Sequence, residues 1–230
     1  GKNMNKRTIY FFPDYSGGNP YQKLLYQPVK NIGFNVIPGG IDAALKSGTS
    51  LSEIVFHLHW LNALFKDCRC DDDAWGVADA FMTSINKLRA GGGKVMWTIH
   101  NHLPHENPFP EQDMRVRYFL VSAADRIHLH CGSHVKELSY LPLNLSTVHV
   151  QRHGSYLGYY GSFDIQDRLA HFNINGLRAL FIGMLRDYKN IEKLQKEKSE
   201  IKTFYFKKFK KLYLLVFTVN IILPIVYIIF

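Results

Sequence analysis

Short apolar runs alternate along most of the chain with longer segments of helical spacing. Thr8 to Phe12 is apolar and strand-length, and the turn Pro13-Asp14-Tyr15-Ser16-Gly17-Gly18-Asn19-Pro20 follows it. Tyr21 to Lys30 has helical spacing, and Phe34 to Ile37 reads as a second strand, closed by Pro38-Gly39-Gly40. Ile54 to Trp60 is a third strand. In Ala74 to Ala90 the residues Trp75, Ala78, Phe81, Met82, Ile85 and Leu88 recur at helical intervals, and Gly91-Gly92-Gly93 stops the helix. Val95 to Ile99, Arg126 to His130, Ser146 to Val150 and Leu180 to Gly183 read as further strands. Asp113 to Ala123 and Ser133 to Tyr140 read as helices, the second with Ser133 as N-cap. A βαβα rhythm of this kind predicts an α/β fold: a Rossmann-like parallel sheet with helices on both faces.

The pattern changes near the C-terminus. A helix is expected near Lys189, after which Ser199 to Phe230 is rich in Lys and large apolar residues. Leu212 to Phe230 is uncharged and sits at the short limit for a membrane-crossing helix. Its flank Lys207-Lys208-Phe209-Lys210-Lys211 would hold the body on the cytoplasmic side. The alternative is an accidental tail. The segment is therefore a candidate membrane segment, with the body cytoplasmic, at the inner face of the plasma membrane if the segment is an anchor.

Charge and cysteines narrow the classes. The 230-residue chain carries a net charge of +9. From Arg186 onward ten basic residues meet four acidic ones, so this stretch supplies most of the excess and leaves the body nearly neutral. With no nucleic-acid-binding signature either, nucleic acid is not an expected partner. Cys68, Cys70 and Cys131 are an odd number without a secretory signal, which fits a reducing compartment.

Four groups of residues carry candidate chemistry. Thr98-Ile99-His100-Asn101-His102-Leu103-Pro104-His105 follows an apolar strand, and ligands of open α/β sheets gather outside the carboxyl ends of strands. Histidine serves as base or hydrogen-bond partner there, and Asn101 offers a donor and an acceptor. His57-Leu58-His59-Trp60 places two imidazoles on one side of a strand, a spacing that suits either a metal-ligand pair or hydrogen bonding at a strand end. His128-Leu129-His130 repeats it. Gly17-Gly18-Asn19 opens a helix and suits either an anion cradle or a tight turn with positive φ. Arg186 and Lys189, just after Gly183, suit a phosphate or a solvated basic loop.

Taken together, Tyr10 to Tyr21, Phe56-His-Leu-His-Trp60, Trp97-Thr-Ile-His-Asn-His-Leu-Pro-His105, Ala124-Asp-Arg-Ile-His128 and Phe181-Ile-Gly-Met-Leu-Arg-Asp-Tyr-Lys-Asn190 resemble, in order and spacing, a GT-B glycosyltransferase of the family-four type, as found in bacterial exopolysaccharide assembly. The resemblance implies a Rossmann-like acceptor-side domain over residues 7–175, the start of a donor-binding domain over 176–198, and a basic and apolar tail over 199–230. The second domain is thus expected to be incomplete, and the chain a truncated enzyme. The implied activity moves a sugar from a nucleotide diphosphate sugar, a co-substrate rather than a bound cofactor, to a glycan or lipid-linked acceptor. The implied roles are catalysis for His100 and His105, and acceptor binding for His57, His59, Asn101 and His102. Donor phosphate binding falls to Gly17, Gly18, Arg186 and Lys189. No metal is implied. The family's arginine directly after the glycine of the last motif is replaced by Met184, and Arg186 is the expected substitute. A separate donor-domain chain is an expected partner. Two other readings stay open: a non-catalytic acceptor- or partner-binding module, and a His-x-His metallohydrolase.

Overall fold

The computed structural model describes residues 7–102, 107–156 and 159, and the backbone of three strands further on. It divides into two units, residues 1–160 and 161–230.

In the first unit six strands form one sheet: β1 (Thr8–Phe12), β2 (Asn35–Pro38), β3 (Ile54–Leu58), β4 (Lys94–Ile99), β5 (Arg126–Leu129) and β6 (Val148–Val150). All are parallel, in the order β2-β1-β3-β4-β5-β6. The helices are α1 (Tyr21–Asn31), α2 (Ile41–Leu45), α3 (Asp71–Ala90), α4 (Pro110–Ala123) and α5 (His134–Glu137). The expected α/β Rossmann-like architecture is present. The order of the strands reverses at β1 and β3, and their carboxyl ends mark the switch point where ligands of such sheets bind.

Alternation along the strands separates two unlike faces. Tyr10, Phe56, Leu58, Val95, Trp97, Ile99, Ile127 and Leu129 join buried residues of α2, α3 and α4 in the main core. Phe11, Tyr26 and Val36 form a smaller cluster beneath α1 on the other side. The first face is apolar along its length. The second carries His57, Thr98 and His128 under or beside α1, so its interior is held by hydrogen bonds as well as by burial.

Local sequence explains the helix limits. Asp71, Asp72 and Asp73 occupy the first turn of α3, and Lys87 and Arg89 the last, each favourable to the helix dipole. Gly92 leaves the helix at φ +86°, where a side chain would be strained. A Cβ on Gly93 would lie 2.4 Å from Leu88 Cδ1 and 2.8 Å from the Leu51 carbonyl. Close packing as well as backbone conformation therefore requires glycine here. Ser133 does sit at the N-cap of α5, but its hydroxyl pairs with Cys131 Sγ at 3.1 Å instead of capping, and the helix is shorter than the spacing predicts. The short helix α2 and the 3-10 turns at Leu51–Glu53 and Leu61–Phe65 were not legible as elements.

In the second unit β7 (Leu177–Gly183) pairs antiparallel with β9 (Leu212–Val219), which pairs antiparallel with β8 (Phe206–Phe209). The apolar run from Leu212 is thus a strand over its first eight residues, not the start of a spanning helix. Its β-branched and aromatic content favours that outcome. No helix among the described residues is long and apolar enough to cross a membrane. The strand at Leu180–Gly183 exists and is longer than expected, but its described partner is antiparallel rather than the parallel neighbour a second Rossmann-like domain would supply. The helix expected near Lys189 lies outside the described residues.

Candidate functional site

Three adjacent strands deliver a file of histidines to one edge of the sheet. Residues two apart share a face, so His57 and His59 follow each other along β3 and beyond its end. Thr98 and His100 do the same for β4, and His128 and His130 for β5. Parallel pairing brings Thr98 level with His128. Helix α1 lays Tyr21 and Tyr26 over this file, both nearly fully buried.

The side chains meet closely. Tyr26 Oη lies 2.7 Å from His57 Nδ1 and 2.7 Å from His59 Nε2. His57 Nε2 reaches Thr98 Oγ1 at 2.8 Å, and Thr98 Oγ1 reaches His128 Nδ1 at 3.2 Å. His128 Nε2 donates to the Gln151 carbonyl oxygen at 3.2 Å. At the other end His59 Nδ1 and His100 Nε2 are 3.1 Å apart. His100 stacks on Trp60, with ring centroids 3.9 Å apart and planes inclined by 11°. Tyr21 contacts the rings of His59, His100, His130 and His153 at centroid distances of 4.9–5.9 Å.

Burial sets the charge of this cluster. Loss of hydration disfavours an imidazolium, and each neighbour repels a second one. Burial, then the proximity of His128, lowers His57 to a pKa of about 3. Burial, then His130 and the other imidazoles, lowers His100 to about 3. His130 falls to about 4, chiefly through burial and then His128. His59 and His128 are also pushed down, first by burial. Tyr21 and Tyr26 are pushed up by burial. At neutral pH the cluster is therefore uncharged, a set of five neutral rings that act as hydrogen-bond donors and acceptors.

Two recesses flank the file. A small one of about 20 Å³, roomy enough for about one water molecule, is lined by His59, Trp60, His100, Asn101 and Arg117 among others. A larger one of about 200 Å³ is lined by Tyr21, His128, His130, Arg152, His153 and Tyr156 with apolar residues of α1. Both nitrogens of His130 and the Tyr21 hydroxyl are enclosed between the rings without a hydrogen bond of full geometry. Arg117, itself buried, is held by Asp113 at 2.6 Å and donates to the His102 carbonyl. Desolvation raises the Asp113 carboxyl although the Arg117 charge opposes it.

The expected site residues separate into groups. His57, His59 and His100 come together. His57 and His59 are 3% and 1% exposed and both nitrogens of each are engaged, so neither is placed to touch an acceptor directly. They support His100 instead. Asn101 is exposed at the small recess. His102 turns away, edge-on to Tyr140, and its carbonyl accepts from Tyr140 Oη at 2.7 Å. Gly17 and Gly18 lie in a tight turn closed by the Tyr15 carbonyl, but neither has positive φ, so the turn does not require glycine on that ground. The Gly18 amide donates to the Tyr15 carbonyl at 3.0 Å and is not presented to an anion. The neighbouring amides of Ser16, Asn19 and Tyr21 are likewise bonded within the loop. His105, Arg186 and Lys189 lie outside the described residues.

Sequence reasoning passed over Tyr26 and Gln151, and named Tyr21, Thr98, His128 and His130 only as members of motifs, without a role in the site. Thr98, His128 and His130 carried a signal, since Thr98 lies two residues from His100 and His128-Leu129-His130 repeats the spacing of His57 and His59. The tyrosines and Gln151 carried none, because their roles depend on how α1 and the end of β6 fold over the sheet. Among the described residues no group of three or more His, Cys, Asp or Glu is disposed to hold a metal ion. The His57 and His59 nitrogens that a His-x-His metal site would use are taken by Tyr26, Thr98 and His100. No protein-family model matches the chain, and comparison with curated proteins finds no relative.

Proposed function

We propose that the first unit is the acceptor-side half of a GT-B-type glycosyltransferase, moving a sugar from a nucleotide diphosphate sugar to a glycan or lipid-linked acceptor in polysaccharide assembly. The observation that carries this reading is His100, a neutral imidazole stacked on Trp60 at the carboxyl edge of a parallel sheet. A neutral ring accepts a hydrogen bond from a sugar hydroxyl, and an aromatic platform suits the apolar face of a sugar ring. With a pKa of about 3, His100 is a weak base at neutral pH. It orients the attacking hydroxyl, and the proton passes to the departing diphosphate. Donor contacts come from Arg186 and Lys189 or from a separate donor-domain chain. The basic stretch after Arg186 suits a membrane surface on which a lipid-linked acceptor would lie.

The low basicity of His100 also favours a second reading, a module that binds the acceptor and catalyses nothing. Saturation-transfer NMR with a panel of bacterial oligosaccharides tests what the two readings share. Both expect signal transfer to a glycan with the native chain and its loss in Trp60→Ala and His100→Ala. A panel without a binder, or binding indifferent to both substitutions, overturns both readings.

A further inference from the structure

The hydrogen bonds from Gln151 to His100 form one series, with the Tyr21 hydroxyl beside Thr98 and His130 beside the Gln151 backbone as side contacts, and one end of the series has no choice of role. A backbone carbonyl only accepts. The Gln151 carbonyl is anchored because its own amide donates to the Leu129 carbonyl at 2.9 Å, at the end of β5. His128 must therefore carry its proton on Nε2, and its Nδ1 must accept. Thr98 then donates to His128 Nδ1 and accepts from His57 Nε2–H. His57 Nδ1 is left to accept from the Tyr26 hydroxyl, whose oxygen accepts from His59 Nε2–H. His59 Nδ1 accepts from His100 Nε2–H. Each neutral ring has one donor and one acceptor, so every assignment follows from the one before it.

We infer that Tyr26, His57, His59, Thr98 and His128 form a tautomer lock that fixes His100 as the Nε2–H form and keeps its Nδ1 a permanent acceptor, so that the ligand atom seated there must be a hydrogen-bond donor such as a hydroxyl. This deepens the acceptor-site reading by naming what His100 selects. A carboxylate or phosphate oxygen has no proton to offer and meets a lone pair. The five residues are positioning residues, acting on a ligand only through His100. Burial supports the scheme, since it keeps each imidazole neutral and gives each hydrogen bond few competitors from solvent.

The lock makes a graded prediction. A buried N–H without a partner is rarer in proteins than an under-used acceptor. Thr98→Val removes the acceptor for His57 Nε2–H. The cheaper arrangement reverses the outer series: His57, His59 and His100 become Nδ1–H, while His128 stays Nε2–H. Tyr26→Phe cuts the series further out. His59 and His100 then reverse, while His57 and His128 do not.

Long-range ¹H–¹⁵N correlation spectra of the imidazoles in the full ¹⁵N-labelled chain at neutral pH read the tautomers directly. In the native protein His57, His59, His100 and His128 are expected as single Nε2–H forms. The variants are expected to show the two reversal patterns. A native His100 that is mixed, Nδ1–H or charged overturns the lock, as does a His100 that keeps Nε2–H in a folded variant. If Thr98→Val does not fold, Tyr26→Phe decides. If neither folds, the native tautomers of all four rings decide. The tautomer result and transfer activity fail independently, since the lock holds whatever reaction the site serves.

Discussion

Lowering the pH from about 7.5 to about 5 should remove a large part of the stability of the first unit, well above the range in which ordinary carboxylates titrate. The histidines are responsible. In the unfolded chain each titrates near 6.5, whereas in the folded state His57 and His100 titrate near 3 and His59 is also depressed. The unfolded state therefore binds protons first as the pH falls. Stability is complete above the unfolded value and declines as the pH drops through 6.5 toward the folded values. Each such histidine contributes a slope of about 1.4 kcal/mol per pH unit once the unfolded form is protonated. Over about 1.5 pH units below 6.5 that is roughly 2 kcal/mol per ring. His57 and His59 are buried and contribute fully, about 4 kcal/mol together. His100 and His130 add to this in smaller measure because water reaches them in part, and His128 does so because its bond to the Gln151 carbonyl opposes the effect of burial. Domains are commonly stable by only about 5–15 kcal/mol, so the loss is decisive. Urea titrations followed by circular dichroism between these pH values measure it. A free energy of unfolding that changes by less than about 1 kcal/mol over the window would show that the histidines are not held neutral as a group.

Other substitutions probe other parts of the account. Arg117→Met leaves the buried Asp113 carboxylate without its partner and should cost about 3–5 kcal/mol by urea unfolding, while the double change with Asp113→Leu should recover most of it. Gly93→Ala forces a Cβ against Leu88 and the Leu51 carbonyl and should destabilise by about 1–3 kcal/mol, visible as a lower Tm. Trp60→Ala removes the ring stacked on His100 and should cost about 0.5–1.5 kcal/mol beyond the lost burial, measured as a shifted urea midpoint together with weaker glycan binding.

Much of the first unit was legible because strand-length apolar runs and helical spacing each have a distinct period. Thr8–Phe12 appears at the predicted limits, and α3 differs only by an earlier start at Asp71, where three aspartates favour a helix N-terminus. The face shared by His57 and His59 was also legible, since side chains alternate along a strand. What period alone does not contain is which helix covers which face. The Gln151–His128–Thr98–His57–Tyr26–His59–His100 series joins four elements and a chain segment after β6, and no local pattern announces it. The residues Leu212–Val219 show a related limit: an apolar run has the composition of a membrane helix and of a strand alike, and pairing with Leu177–Gly183 makes these eight residues a strand.

The reading of the site as the acceptor side of a glycosyltransferase is tested most directly by transfer itself. The full chain would be incubated with isotope-labelled nucleotide diphosphate sugars and a lipid-linked glycan acceptor, beside His100→Ala, and the label followed by mass spectrometry. The account predicts label on the acceptor with the native chain and little or none with the variant. Absence of transfer from every nucleotide sugar would contradict transfer by this chain on its own and leave the acceptor-binding module, and equal transfer by the variant would contradict the role given to His100.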